Sequence, residues 1–166
     1  MYNETWGLVN IAVRCVTEAA LEKVLFALDI DDGWPPVSSE GVWCEREGRD
    51  YKLVNAPFFI KGLAYGDIFK AEPDKVNEHI FEFEVIGESG HSLVWALNNK
   101  HIEIHDFKKR LLELGCSFEG FEQFSLYSID IPETTDKVGI NNLIDEYEVY
   151  GLDFAFPVWR HEVENT

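Results

Sequence analysis

The segment Ser89-Gly90-His91-Ser92 concentrates side chains that could do chemistry. A serine beside a histidine could form a nucleophile–base pair, and glycine-exposed amides could cradle a small anion. It is not the G-x-S-x-G elbow, because His91 stands where the final glycine belongs. Glycine-rich turns are far commoner than catalytic ones, so the motif reads first as a tight turn joining two lobes, with His91 capping backbone groups. Ser89, His91 and Ser92 remain ligand-site candidates. Cys44 joins them as a thiol that could pair with His91 only if the fold brings the two together.

Three other patterns carry less. His101 and His105 stand at i and i+4, the spacing of two ligands on one helix face, but Glu103 falls at the wrong place for HExxH and no third ligand can be named. Asp29-Ile30-Asp31-Asp32-Gly33 has the composition of a calcium loop but lacks the position-5 ligand followed by glycine, since Gly33 falls at position 5 and Trp34 at position 6, so it reads as a turn. Cys15, Cys44 and Cys116 are odd in number, far apart and without a CxxC pair, which fits small buried thiols in a reducing compartment. The sequence therefore names no catalytic residue, no cofactor and no metal.

Charge is more informative. Among 166 residues, 31 acids oppose 14 bases, a formal charge of −17. Magnitudes of about 2–8 suffice for solubility in a small domain. The excess repels phosphate backbones and anionic membrane surfaces, which argues against nucleic-acid and membrane partners. It would speed encounter with a basic protein. The candidate partner-binding acids are Glu45 and Glu47, the row Glu82, Glu84 and Glu88, and the group Asp145, Glu146, Glu148 and Asp153. Trp34, beside two prolines, and Trp159 are candidate anchors, since tryptophan is enriched at interface hot spots. No apolar run reaches the ~20 residues of a spanning helix, and no basic-then-apolar leader opens the chain, so the cytoplasm is the expected location.

These residues need a scaffold. A composition of 46% hydrophobic residues suits a packed core. Residues 1–89 read mainly as strands. Leu8–Val16 is rich in β-branched residues. Residues 17–28 fit helical and strand spacing equally, and a short helical turn followed by a strand from Lys23 is expected. Strands follow at 41–47, 51–54 and 68–71. Across 79–86 the alternation predicts Phe81, Phe83 and Val85 on the buried face, with Glu82 and Glu84 outside. From residue 90 the pattern changes to strand, helix (103–114), two strands (118–131), a helix carrying Ile140, Leu143, Ile144 and Tyr147, and a last strand (153–159). The expectation is an α+β protein in two lobes. An N-terminal antiparallel β-lobe (1–89, a curled sheet or partial barrel) packs on a C-terminal ferredoxin-like βαββαβ lobe (90–166) as one compact unit.

Several segments together carry a resemblance: Trp34-Pro35-Pro36, Val42-Trp43-Cys44, Tyr51-Lys52-Leu53-Val54-Asn55-Ala56-Pro57-Phe58-Phe59, Gly66-Asp67, Ser89-Gly90-His91-Ser92 and Leu112 to Glu119. In this order they resemble domain-of-unknown-function family 4265, small bacterial proteins, from about Lys23 to Gly151. The resemblance implies an arginine shortly after Ser92, yet Leu93-Val94-Trp95 stand there. It also implies an association with polymorphic-toxin loci. The functional expectation is a non-enzymatic immunity protein that binds a cognate, basic toxin domain. The alternative is a ligand-binding or hydrolytic site at the Ser89–His91 junction.

Overall fold

The computed structural model describes residues 21–164; the expected strand at Leu8–Val16, and Cys15, lie outside them. Five strands form the first sheet: β1 (Leu21–Ala27), β2 (Ser39–Glu47), β3 (Asp50–Leu53), β4 (Ile68–Ala71) and β5 (Phe83–Gly87). They are an antiparallel meander in chain order. Alternating apolar residues build its core around Val24, Phe26, Val42, Cys44, Tyr51, Leu53 and Phe69. β1 begins at Leu21, two residues before the expected Lys23, because Leu21 already pairs with Glu45.

The sheet curls without closing into a barrel. Ile80 bridges to β1 through two hydrogen bonds, Ala27 N to Ile80 O (2.9 Å) and Ile80 N to Leu25 O (2.8 Å). That bridge corrects the expected strand at 79–86. Ile80 is the residue driven inward, β5 starts only at Phe83 opposite Ala71, and Phe81 is left 62% exposed.

The second sheet contains β6 (Ser92–Leu97), β7 (Ser117–Phe121), β8 (Leu126–Ile131) and β9 (Asp153–Val158), with helices α1 (His105–Glu113) and α2 (Lys137–Tyr150) between them. Its order is β7-β8-β6-β9, with all neighbours antiparallel. The described residues are thus α+β: two antiparallel sheets and two helices. Phe107 and Leu111 of α1 and Ile140, Leu143, Ile144 and Tyr147 of α2 cover one face. Asp136 caps α2 by accepting from Gly139 N, and Gly151 ends it at φ 119°. α1 starts at His105, two residues later than expected, because Asn98 holds Ile102 through both its backbone groups and keeps that segment out of the helix.

The other face of this sheet meets the first lobe. Leu93, Trp95, Leu126 and Val158 pack on Ala56, Phe59 and Ala64 of the long β3–β4 connection. Glu40 on β2 pins that connection by accepting from the amides of Phe58 and Phe59 (2.6 and 2.8 Å). Pro57 O then accepts from two side chains of the second sheet, Trp95 Nε1 (2.7 Å) and Ser128 Oγ (2.8 Å).

Candidate functional site

The junction gathers the polar residues the sequence singled out. Asp67, 0% exposed, follows the turn at Gly66. Its carboxylate accepts from Ala64 N and Ser89 N, both at 2.9 Å, and from both terminal nitrogens of Arg160, at 2.8 and 3.0 Å. Burial alone pushes this carboxyl up, but the guanidinium and the two amides outweigh it and hold Asp67 below its ordinary range. Gly66 sits at φ 81°, and a Cβ there would meet Ser89 Cβ at 2.9 Å, so glycine permits the approach. The guanidinium implied after Ser92 is missing from β6, and Arg160, just past β9, brings one to the same junction from another part of the chain.

The motif Ser89–Ser92 is divided among three tasks. Ser89 Oγ donates to Tyr65 O (2.6 Å) and accepts from His91 N (3.2 Å). His91 Nδ1 donates to Asp130 on β8 (2.7 Å), and the His91 ring lies 5.2 Å from that of Tyr65. Burial raises Asp130 above its ordinary value, with His91 opposing. Ser92, fully buried, belongs to a separate pair. His161 Nε2 faces Pro132 O (2.8 Å) and must donate to it, so Nδ1 accepts from Ser92 Oγ (2.6 Å), which itself accepts from Arg160 N (2.7 Å). Burial pushes His161 below the ordinary histidine value. The Ser–His pair that exists is therefore Ser92–His161, sealed from solvent, and not Ser89–His91.

Cys44 is not brought to His91. It lies fully buried in the core of the first sheet, and burial pushes its thiol up to about 12. Cys116 is buried as well, with its thiol pushed up to about 11. Neither is a reachable thiolate. A crevice of about 110 Å³ beside Asp130 and Tyr65 is lined also by Asn55, Ser117 and Ser128. No group of three or more metal-ligating side chains is found among the described residues.

The acidic candidates are scattered. Glu45 faces Lys52 across β2 and β3, and Glu47 lies at the hairpin. Glu88 approaches Arg160 (3.8 Å). Glu146 is tied to Arg110 (2.7 Å), while Asp145, Glu148 and Asp153 lie exposed on the second lobe. Trp159 is half-buried, its ring against Phe156 and His161. Glu82 and Glu84 differ. With Glu72 and Asp74 they line an open groove of about 520 Å³ beside β4 and β5, in which Phe81 stands and Lys70 is the lone base. Glu72, Asp74 and Phe81 were not singled out from sequence. The alternation of 79–86 hid Phe81 by assigning it to the core. Phe81 and Phe83 also line a second cleft, of about 490 Å³, which includes Trp34.

No helix among the described residues is long and apolar enough to cross a membrane. Residues 40–153 match a family model described as a domain of unknown function, DUF4265. No curated protein sequence matches the chain. The fold is similar to a crystal structure of a hypothetical protein from Neisseria gonorrhoeae, with a TM-score of 0.63 and 16% identity over 81% of this chain and 93% of that one. At that identity the likeness is one of fold.

Proposed function

The chain belongs to the DUF4265 family, domains of unknown function, and on that premise we propose that it is a non-enzymatic, immunity-type protein of the bacterial cytoplasm that binds and neutralises a cognate basic toxin domain. One observation carries the reading. Phe81, a large apolar side chain 62% exposed, stands among Glu72, Asp74, Glu82 and Glu84. An exposed aromatic ringed by carboxylates joins an anchor to a steering field, the combination that recognises a basic surface. The net charge of −17 extends that field. We also read the second lobe as ferredoxin-like. Its order β7-β8-β6-β9 corresponds to strands two, three, one and four of a βαββαβ unit, every pair antiparallel.

The test is co-expression with the product of the adjacent gene in the source genome, read as growth rescue and co-purification. A complex should form whose association at low salt slows about tenfold when Glu82 and Glu84 are changed to lysine. The absence of both rescue and a complex would sink the reading. The junction supports a second one. Asp130, which lines the small crevice, orients His91 by its Nδ1, as an orienting carboxylate does for a general base. A small-ligand or hydrolytic site there requires His91→Ala to abolish binding or turnover at a temperature where the variant, destabilised by leaving Asp130 without its partner, is still folded.

A further inference from the structure

The cleft that shares Phe81 and Phe83 with the acidic groove has different walls. Trp34, Phe59, Phe83 and Trp95 supply aromatic surface, and Asp29 and Asp31 stand exposed at its rim. The Trp34 and Phe59 rings meet edge-on at 5.7 Å and 75°, which gives the cleft two walls at an angle. Trp95 Nε1 is already committed to Pro57 O, so that residue offers ring and no free donor. Neither aspartate side chain has a hydrogen-bond partner among the described residues, and Lys61 is the single base of the lining.

We propose that this cleft receives an arginine side chain of the partner protein, its guanidinium lying on the Trp34 face and paired with Asp29 or Asp31. The inference rests on the basic-partner reading and names the residue type that reading requires. Charge complementarity selects a cation: the cleft and its adjoining groove present six carboxylates against two lysines, Lys61 and Lys70. The aromatic walls select guanidinium over ammonium. Guanidinium is planar and weakly hydrated, stacks on aromatic faces and takes a carboxylate by two parallel N–H bonds. An ammonium group is strongly hydrated and would give up water for walls that offer few acceptors.

The experiment titrates ¹⁵N-labelled full-length protein with N-acetyl-arginine-N-methylamide, at constant ionic strength, following the indole N–H resonance of Trp34. The lysine and citrulline counterparts are run alongside; citrulline keeps the shape and removes the charge. The arginine compound should shift the resonance saturably at about 1–10 mM, with the other two at least about fivefold weaker. Asp29→Asn with Asp31→Asn should weaken it about three- to tenfold. Trp34 is 45% exposed, so Trp34→Ala keeps the fold and should abolish the response of neighbouring cleft residues, while Trp34→Phe retains part of it. Equal binding of citrulline, equal binding of lysine, or no saturable arginine response each overturns the proposal. The adjacent-gene complex separates the two readings. A complex weakened at least tenfold by Trp34→Ala supports the proposal. One indifferent to that substitution overturns it and leaves the basic-partner reading standing, whereas no complex at all sinks the partner reading itself.

Discussion

Arg160 grips Asp67 through two parallel hydrogen bonds, 2.8 and 3.0 Å, across 93 residues of sequence and between the two lobes. The carboxylate is wholly buried and the guanidinium largely so. Arg160→Ala leaves that carboxylate with only its two amide donors. Removing one member of a buried pair costs about 3–5 kcal/mol, so the variant should lose most of its stability to urea. Arg160→Lys keeps the charge without the fork and should recover less than half. A smaller loss for Arg160→Ala than for Arg110→Ala, whose ion pairs are solvent-exposed, would refute this.

Pro57 O is a shared acceptor, and its two donors should be coupled. Ser128→Ala leaves Trp95 Nε1 in place and should cost about 0.5–1.5 kcal/mol. Trp95→Phe alone should leave the carbonyl satisfied by Ser128. The double variant orphans a buried carbonyl, adding a penalty of about 1–3 kcal/mol. A double-mutant cycle in urea should therefore be non-additive, with the double loss exceeding the sum. Additive losses would show that the two donors act independently.

His161 makes stability depend on pH. Its folded value lies below the ordinary histidine range because burial disfavours the charged form. As pH falls below the ordinary value near 6.5, the unfolded chain takes up a proton that the folded chain refuses. Stability is thus fully present above that value and declines as pH drops towards the depressed folded one. Asp67, also depressed, adds a loss of the same sign at lower pH, beneath the ordinary carboxylate range. Urea midpoints should fall between pH 7.5 and 5.5, and His161→Gln should flatten that interval relative to the parent.

Both described cysteines should be silent to a thiol reagent in the native state. In a Cys15→Ser background, Cys44 and Cys116 should react with an aromatic disulfide only at the rate of unfolding, and stoichiometrically in denaturant. Rapid native labelling of one equivalent would overturn their assignment as core residues.

Regular elements were legible where one periodicity dominated. The stripe Ile140, Leu143, Ile144 and Tyr147 specified α2, and Gly151 its end. The alternation around Phe81 misled because a lone bridge from Ile80 to Phe26, invisible in local pattern, set which residue turned inward. The Ser89–Ser92 segment was legible as a junction, but its partners were not. Asp130 lies 39 residues from His91, and His161 69 from Ser92, separations at which spacing carries no signal. The acidic groove was half visible. Glu82 and Glu84 were chosen from their row, while Glu72 and Asp74 arrive only through the turn between β4 and β5.

The 93-residue separation of Asp67 and Arg160 also imposes an order in time. At about 5–20 residues per second, a ribosome needs roughly 5–20 seconds after making the aspartate before the arginine exists. From the completion of β5 at Gly87 until then, the apolar surface of Ala56, Phe59 and Ala64 lacks the completed second sheet that covers it in the folded chain. The interval is a window for chaperone engagement, and it closes when the guanidinium arrives.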